Sequence, residues 1–235
     1  MAQATGRKPS PNKCGDDWKT TDCPRIAIVT SAAENEAAGN EAYNNDLPTS
    51  LSYRSLYSGY GFSPKHTSVH IDNYMRTTNL SNTEAQLNFD FLKQADVIFF
   101  NGGDQSRHAR CWLNDDGTYN PIMKMVADRV KNNEVILAGT SAGSMIMCSP
   151  TYGGGLTYGH LYFAAKVGLA PKQVADGAMN GTHFDDVRNG TKGLQYSDNG
   201  GMMPGFNFTP FLVDTHVNAR GRVGRIVPAM VQTKF

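Results

Sequence analysis

The stretch "ILAGTSAGSM", residues 136–145, decides how this chain is read. An apolar run stops against Gly139-Thr140-Ser141-Ala142-Gly143, and apolar residues then resume at helical spacing. A serine boxed by glycines between a strand and a helix is the pattern of a nucleophile elbow. The tight turn lifts the hydroxyl clear of the backbone, and the glycines leave room for the turn and for a bound substrate. The first N–H groups of the following helix, and its positive dipole end, suit a developing oxyanion. A plain Gly-rich turn without chemistry is the alternative reading of the same ten residues.

The segments before it alternate. "RIAIVTSA" (25–32) reads as a strand, "ENEAAGNEAYNNDL" and "SLSYRSLYSGYGF" as helical stretches, and "HTSVHI" (66–71) as a second strand. Ser81-Asn82-Thr83-Glu84 fits a capping box, with Leu87, Phe91 and Leu92 on one face of the helix behind it. "DVIFFNGG" (96–103) is a buried strand ending in glycines, and a helix is predicted from about Asp104 to Leu113. Asn120-Pro121 opens another, with Asn as N-cap and Pro in the first turn. "EVILAG" (134–139) is the next strand, "FLVDTHV" (211–217) a last buried one, and "GRVGRIVPAMVQ" a helix after it. Strands and helices in alternation give an α/β fold, a three-layer, doubly wound and mostly parallel sheet. Ligands of such folds sit at the carboxyl ends of the strands, where both Gly-rich turns fall. Residues 149–208, rich in Gly and Asn, read as long loops and short antiparallel pieces. The expected organisation is an arm over 1–24 and a single domain over 25–235.

Composition narrows the function classes. Of 235 residues, 40% are hydrophobic and 18% charged, as in ordinary soluble domains, and a chain of this size needs no staples. A net charge of +1 gives no field that would gather nucleic acid or an anionic membrane. No apolar run approaches the roughly 20 residues of a membrane span, and no apolar leader follows Met1. No metal-ligand spacing, dinucleotide fingerprint or phosphate loop is present, so neither metal nor cofactor is expected. Cys14 and Cys23 lie close together in the polar arm and are a disulfide candidate; Cys111 and Cys148 read as buried free thiols. Four N-x-[ST] sites, at Asn79, Asn180, Asn189 and Asn207, are glycosylation candidates, with Asn79 and Asn189 in loop-like sequence. Together with the disulfide candidate they lean towards a secreted or vesicular protein, with a cytoplasmic one still open.

A serine hydroxyl needs a base to take its proton, and histidine is the usual one. Six are available. His66 and His70 lie on an early strand, His108 on the helix after the GGDQ turn, and His160 and His183 in the loop-rich region. His216 lies near the carboxyl end of the last strand and is the choice, with His160 in reserve. Arg220, Arg222 and Arg225 could fork onto carboxylates, which would call for a substrate with an acidic or free carboxylate group. They could equally form a solvated helix start. Asp104 and Asp214 could pair with an arginine or meet a basic substrate side chain. Gln105 could bind a substrate amide or simply cap a helix.

"FFNGGDQSR", "AGTSAGS" and "VDTHVNARGRVGR" occur in this order. Together they resemble the cyanophycinase-like branch of the S51 serine peptidases, whose fold is like the class I glutamine amidotransferase domain. The resemblance implies Ser141 as nucleophile and His216 as general base. It implies an oxyanion hole from the Gly102-Gly103 turn and the Ala142 N–H. It also makes Gln105, Asp214, Arg220, Arg222 and Arg225 substrate contacts. Thr215 stands where the family usually has Gln, so the family's specificity does not transfer intact. The implied reaction is cleavage of a peptide or β-aspartyl-type bond through an acyl-enzyme. The family's triad glutamate lies well downstream of its histidine, and here no Asp or Glu follows Asp214. Three explanations stand. A second polypeptide from the same precursor could complete the sheet and bring the acid. Asp176, Asp185, Asp186 or Asp198 could serve instead. Or the site could be degenerate, in a secreted glycoprotein that binds, stores or scaffolds.

Overall fold

The computed structural model describes residues 6–11, 14, 18, 21–153, 166–167 and 201–233. Where the sequence reads as one domain, the chain divides into two compact units. One comprises Met1–Gly103 and Asn120–Thr140, the other Asp104–Tyr119 and Ser141–Phe235.

The first unit holds a four-stranded parallel sheet in the order β2-β1-β3-β4, formed by β1 (Arg25–Val29), β2 (Ser63–His66), β3 (Val97–Phe100) and β4 (Ile136–Gly139). Register puts Ile26, Val97 and Ile136 in one row and Ile28, Phe99 and Ala138 in the next. These residues face one way and pack with Tyr43 of α1 (Glu36–Asn44), Tyr53 and Tyr57 of α2 (Tyr53–Gly59), and Phe62. The alternate residues Ala27, Val29, Ile98 and Phe100 point the other way and are as fully buried. After the one-turn α3 (Tyr74–Thr77), α4 (Thr83–Gln94) packs on β1 and on α6 (Pro121–Lys131). Both faces of the sheet are therefore covered, as the α/β reading requires.

Local chemistry sets the boundaries. Asn120 caps α6 by accepting from the Met123 N–H, with Pro121 in the first turn. β2 lies three residues earlier than expected. Pro64 has no N–H to give, but β2 is an edge strand and needs donors on one side only. Beyond it the chain leaves the sheet, because the His70 N–H turns to Asn73 Oδ1 and Asn73 Nδ2 binds the Ser68 carbonyl. The capping box at Ser81 is not formed: Asn82 is the N-cap of α4 and makes no side-chain cap bond. Ala85, Asn88 and Leu92 form the buried face of α4, while Leu87 is exposed.

The arm belongs to the first unit. Cys14 and Cys23 form a disulfide. Trp18 is buried, and its ring N–H donates to the Ser63 carbonyl at 3.0 Å.

The second unit contains α5 (Gln105–Trp112), the one-turn α7 (Ala142–Met145), α8 (Val223–Thr233) and a small sheet. In that sheet β7 (Gly201–Met203) lies between antiparallel β5 (Thr151–Tyr152) and parallel β6 (Lys166–Val167). The short pieces expected over 149–208 are thus partly parallel. Residues 211–217 are not a strand. Their polar groups are satisfied locally: the Val213 N–H meets Cys148 Sγ, the Thr215 N–H meets Asp214 Oδ1, and Arg222 takes the Thr215 carbonyl. Cys111 and Cys148 are buried free thiols.

Candidate active site

Ser141 follows β4 by two residues and has φ 50° and ψ −115°. A serine in this region carries backbone strain of about 1–3 kcal/mol, of the kind nucleophile elbows store. Gly139 and Gly143 on either side add no side chains to the turn. The Ser144 and Met145 N–H groups bond the Ser141 carbonyl and start α7. The Ser141 side chain makes no cap bond and so stays free for other work. The helix is a single turn, so the dipole expected from the sequence contributes little, and individual N–H groups such as that of Ala142 matter instead.

Ser141 Oγ lies 2.7 Å from His216 Nε2. The pair is solvent-accessible and spans 75 positions of sequence. His216 also holds a positive φ, 56°. Its pKa lies below the ordinary value, mainly through desolvation, then through the Arg220 and Arg222 guanidiniums; Asp214 opposes them. A neutral imidazole that can accept a proton is the form expected at pH 7. Among the described residues no carboxylate meets Nδ1. Asp176, Asp185, Asp186 and Asp198, with His160, His183, Asn180 and Asn189, lie outside the described residues.

The other nominated residues divide. Asp214 takes a two-pronged pair from Arg225, with Nε at 2.7 Å from Oδ2 and Nη2 on Oδ1, and a third bond from Arg222 Nη1 at 3.3 Å. All three side chains are nearly inaccessible, and Arg222 and Arg225 are turned onto Asp214. Arg220 is exposed. Gln105 Nε2 donates to the Tyr152 carbonyl at 2.7 Å, so its amide ties α5 to β5. Thr215 gives its hydroxyl to Met145 Sδ at 3.2 Å. Gly102 and Gly103 follow β3 in the first unit, where Gly103 has φ 142° and any Cβ would overlap the Ala32 carbonyl. Asp104 caps α5 by accepting from the Ser106 N–H, and His108 is buried in that helix. Asn79 and Asn207 are exposed.

A cavity of about 500 Å³ opens beside the histidine loop, with Asp214 and Val217 on its wall together with Tyr152, Phe211, Leu212 and Met230. Its walls join residues from three separate segments, a juxtaposition that the pattern within each segment does not reveal. Among the described residues no group of His, Cys, Asp or Glu side chains could hold a metal ion. No described helix is long and apolar enough to cross a membrane.

A strand-end serine with a histidine at hydrogen-bond distance is the arrangement of a nucleophile–base pair. Comparison with known proteins gives the same direction. Residues 62–155, which include Ser141 but not His216, match the sequence model of Peptidase family S51. The cyanophycinase of Geminocystis herdmanii is 39% identical over 66 residues, 28% of this chain and 22% of that protein. The cyanophycinases of Trichormus variabilis and of a Nostoc species are each 27% identical over 139 residues, 59% of this chain and 34% of theirs. The chain therefore spans about a third or less of the length of these relatives. These matches support the resemblance to cyanophycinase-like S51 peptidases, and the parallel four-stranded sheet fits it.

Proposed function

We propose that this protein is a serine-type peptidase or isopeptidase in which Ser141 attacks a carbonyl and His216 serves as its base. The observation that carries the reading is the 2.7 Å contact between Ser141 Oγ and His216 Nε2. In the reaction, the Ser141 hydroxyl loses its proton to Nε2 as Oγ bonds the carbonyl carbon. The Ala142 N–H is the donor that the resemblance assigns to the oxyanion on this side of the site. Nε2–H then protonates the leaving amine, and water repeats the sequence on the acyl-enzyme.

For the substrate we propose a peptide-like chain with a free or acidic carboxylate. Arg220 is the exposed arginine of the motif and the natural partner for that group. The carboxylate that orients Nδ1 is left to Asp176, Asp185, Asp186 or Asp198, or to a second polypeptide from the same precursor. Secretion and glycosylation stay part of the proposal, supported by the Cys14–Cys23 disulfide and the exposed Asn79.

A fluorophosphonate probe followed by peptide mapping tests the reading, with modification at Ser141 expected. Modification elsewhere, or none in the intact native protein, would favour a binding protein that keeps the fold without the reaction. Intact-mass analysis of native material shows whether a second chain travels with this one.

A further inference from the structure

We propose that Asp214, Arg222 and Arg225 are positioning residues that clamp the His216 loop onto Ser141, in place of the substrate contacts the resemblance implies. The proposal rests on the reading of Ser141 and His216 as the working pair.

A substrate carboxylate could not use these arginines as they stand. The Arg225 fork is filled by Asp214, Arg222 binds the same carboxylate, and the side chains are 2%, 7% and 4% accessible for Arg225, Arg222 and Asp214. A buried, two-pronged pair is the strongest arrangement these groups make with each other. The Arg225 guanidinium also lies over the Tyr152 ring, 4.3 Å from its centroid.

The bonds of this cluster run to both sides of His216. Ahead of it, Asp214 Oδ1 accepts the Thr215 N–H at 2.8 Å, and Arg222 Nη1 donates to the Thr215 carbonyl at 2.7 Å. Behind it, the Arg222 N–H bonds the Val217 carbonyl at 2.8 Å. The His216 carbonyl itself takes the Arg220 N–H at 2.9 Å. Three successive carbonyls are thereby fixed around a histidine at positive φ, a conformation that persists only where its surroundings over-determine it. Thr215 completes the link by giving its hydroxyl to Met145, the last residue of the turn that Ser141 begins. Met145 in turn packs with Tyr152, the residue under Arg225.

The charged groups acting on His216 are Arg220, Arg222 and Asp214. Removing the Asp214 charge leaves the guanidiniums unopposed, so the imidazole would hold its proton less well.

The test is the rate at which a small alkyl fluorophosphonate labels Ser141 across pH, since such a probe carries no carboxylate for an arginine to bind. For Asp214→Asn we expect labelling about 100-fold slower, the scale of a misplacement near 1 Å. Its pH midpoint should shift below that of the wild type. Arg225→Lys keeps the charge, loses the fork and should label about tenfold slower, in proportion to one lost prong; it serves if Asp214→Asn does not fold. Wild-type rates and midpoint in a folded variant of either kind would overturn the clamp and return these residues to substrate binding. If the wild type itself takes no label, the serine reading fails first and the clamp's purpose falls with it.

Discussion

Histidine rings meet side-chain hydroxyls in both units, in opposite surroundings. In the first unit Thr30 Oγ1 lies 2.5 Å from His66 Nε2 and 2.8 Å from His70 Nε2. In the second, Ser141 Oγ lies 2.7 Å from His216 Nε2. Distance does not separate them. Thr30 and His70 are fully buried, Tyr43 stacks on His66 at 4.7 Å, and His70 Nδ1 is held by the Ser68 carbonyl. A carbonyl only accepts, so neutral His70 carries its proton on Nδ1 and takes the Thr30 O–H at Nε2. Thr30 then accepts from Nε2–H of His66. Every proton in that row has a place and none has anywhere to go. The Ser141 pair is open to solvent, sits on strained backbone at both residues and has Arg222 and Arg225 tied to Asp214. A short contact alone is no sign of chemistry; access and a conformation held from outside are.

Variants sharpen the contrast. His216→Ala should slow labelling of Ser141 at least about a thousandfold, the scale of losing a base that works with its serine, while His66→Ala should not change the labelled residue. Arg225→Ala should lower stability by about 3 kcal/mol or more, measured by denaturant unfolding, because it leaves Asp214 buried without its fork. Thr30→Val removes the hydroxyl two imidazoles share and should cost roughly 1–3 kcal/mol, with the label still on Ser141. A Thr30→Val protein as stable as the wild type would show that the buried row does not hold the first unit.

Acid should act on the first contact as well. Burial, helped by His70, lowers the His66 pKa to about 3, and burial also lowers that of His70. Glu36 and Asp72 pull His70 the other way. The folded values lie below the unfolded one near 6.5, so the unfolded chain binds protons first. These imidazoles therefore stabilise the fold above about pH 6.5, and the contribution falls as pH drops towards 3. The expected slope from His66 is about 1.4 kcal/mol per pH unit, read from unfolding midpoints between pH 6.5 and 4, and His70 adds to it in the same direction. A flat profile would contradict the buried assignment.

The sequence carried the sheet better than the site. Runs such as "VIFF" and the Asn120-Pro121 start are local signals, and local signals survive into the structure. β2 slipped to Ser63–His66 because Pro64 reads as a breaker, although an edge strand tolerates it. The segment around His216 looked like a strand because Val213 and Val217 are β-branched. Its backbone bonds go instead to Cys148, Asp214 and Arg222, partners that no periodicity reveals. Ser141 was legible from its glycines. His216 was legible from its motif, since nothing within ten residues of it marks a base. The turn of Arg222 and Arg225 onto Asp214 was not legible, because a carboxylate eight or eleven residues away and a carboxylate on a ligand look the same to an arginine in a sequence.

The most direct test of the account is the pH dependence of Ser141 phosphonylation in the wild type beside His216→Ala. The account predicts modification at Ser141 alone, rising through a midpoint below the ordinary histidine value near 6.5, with the variant all but inert. Modification at another residue, or equal rates in the two proteins, would contradict it.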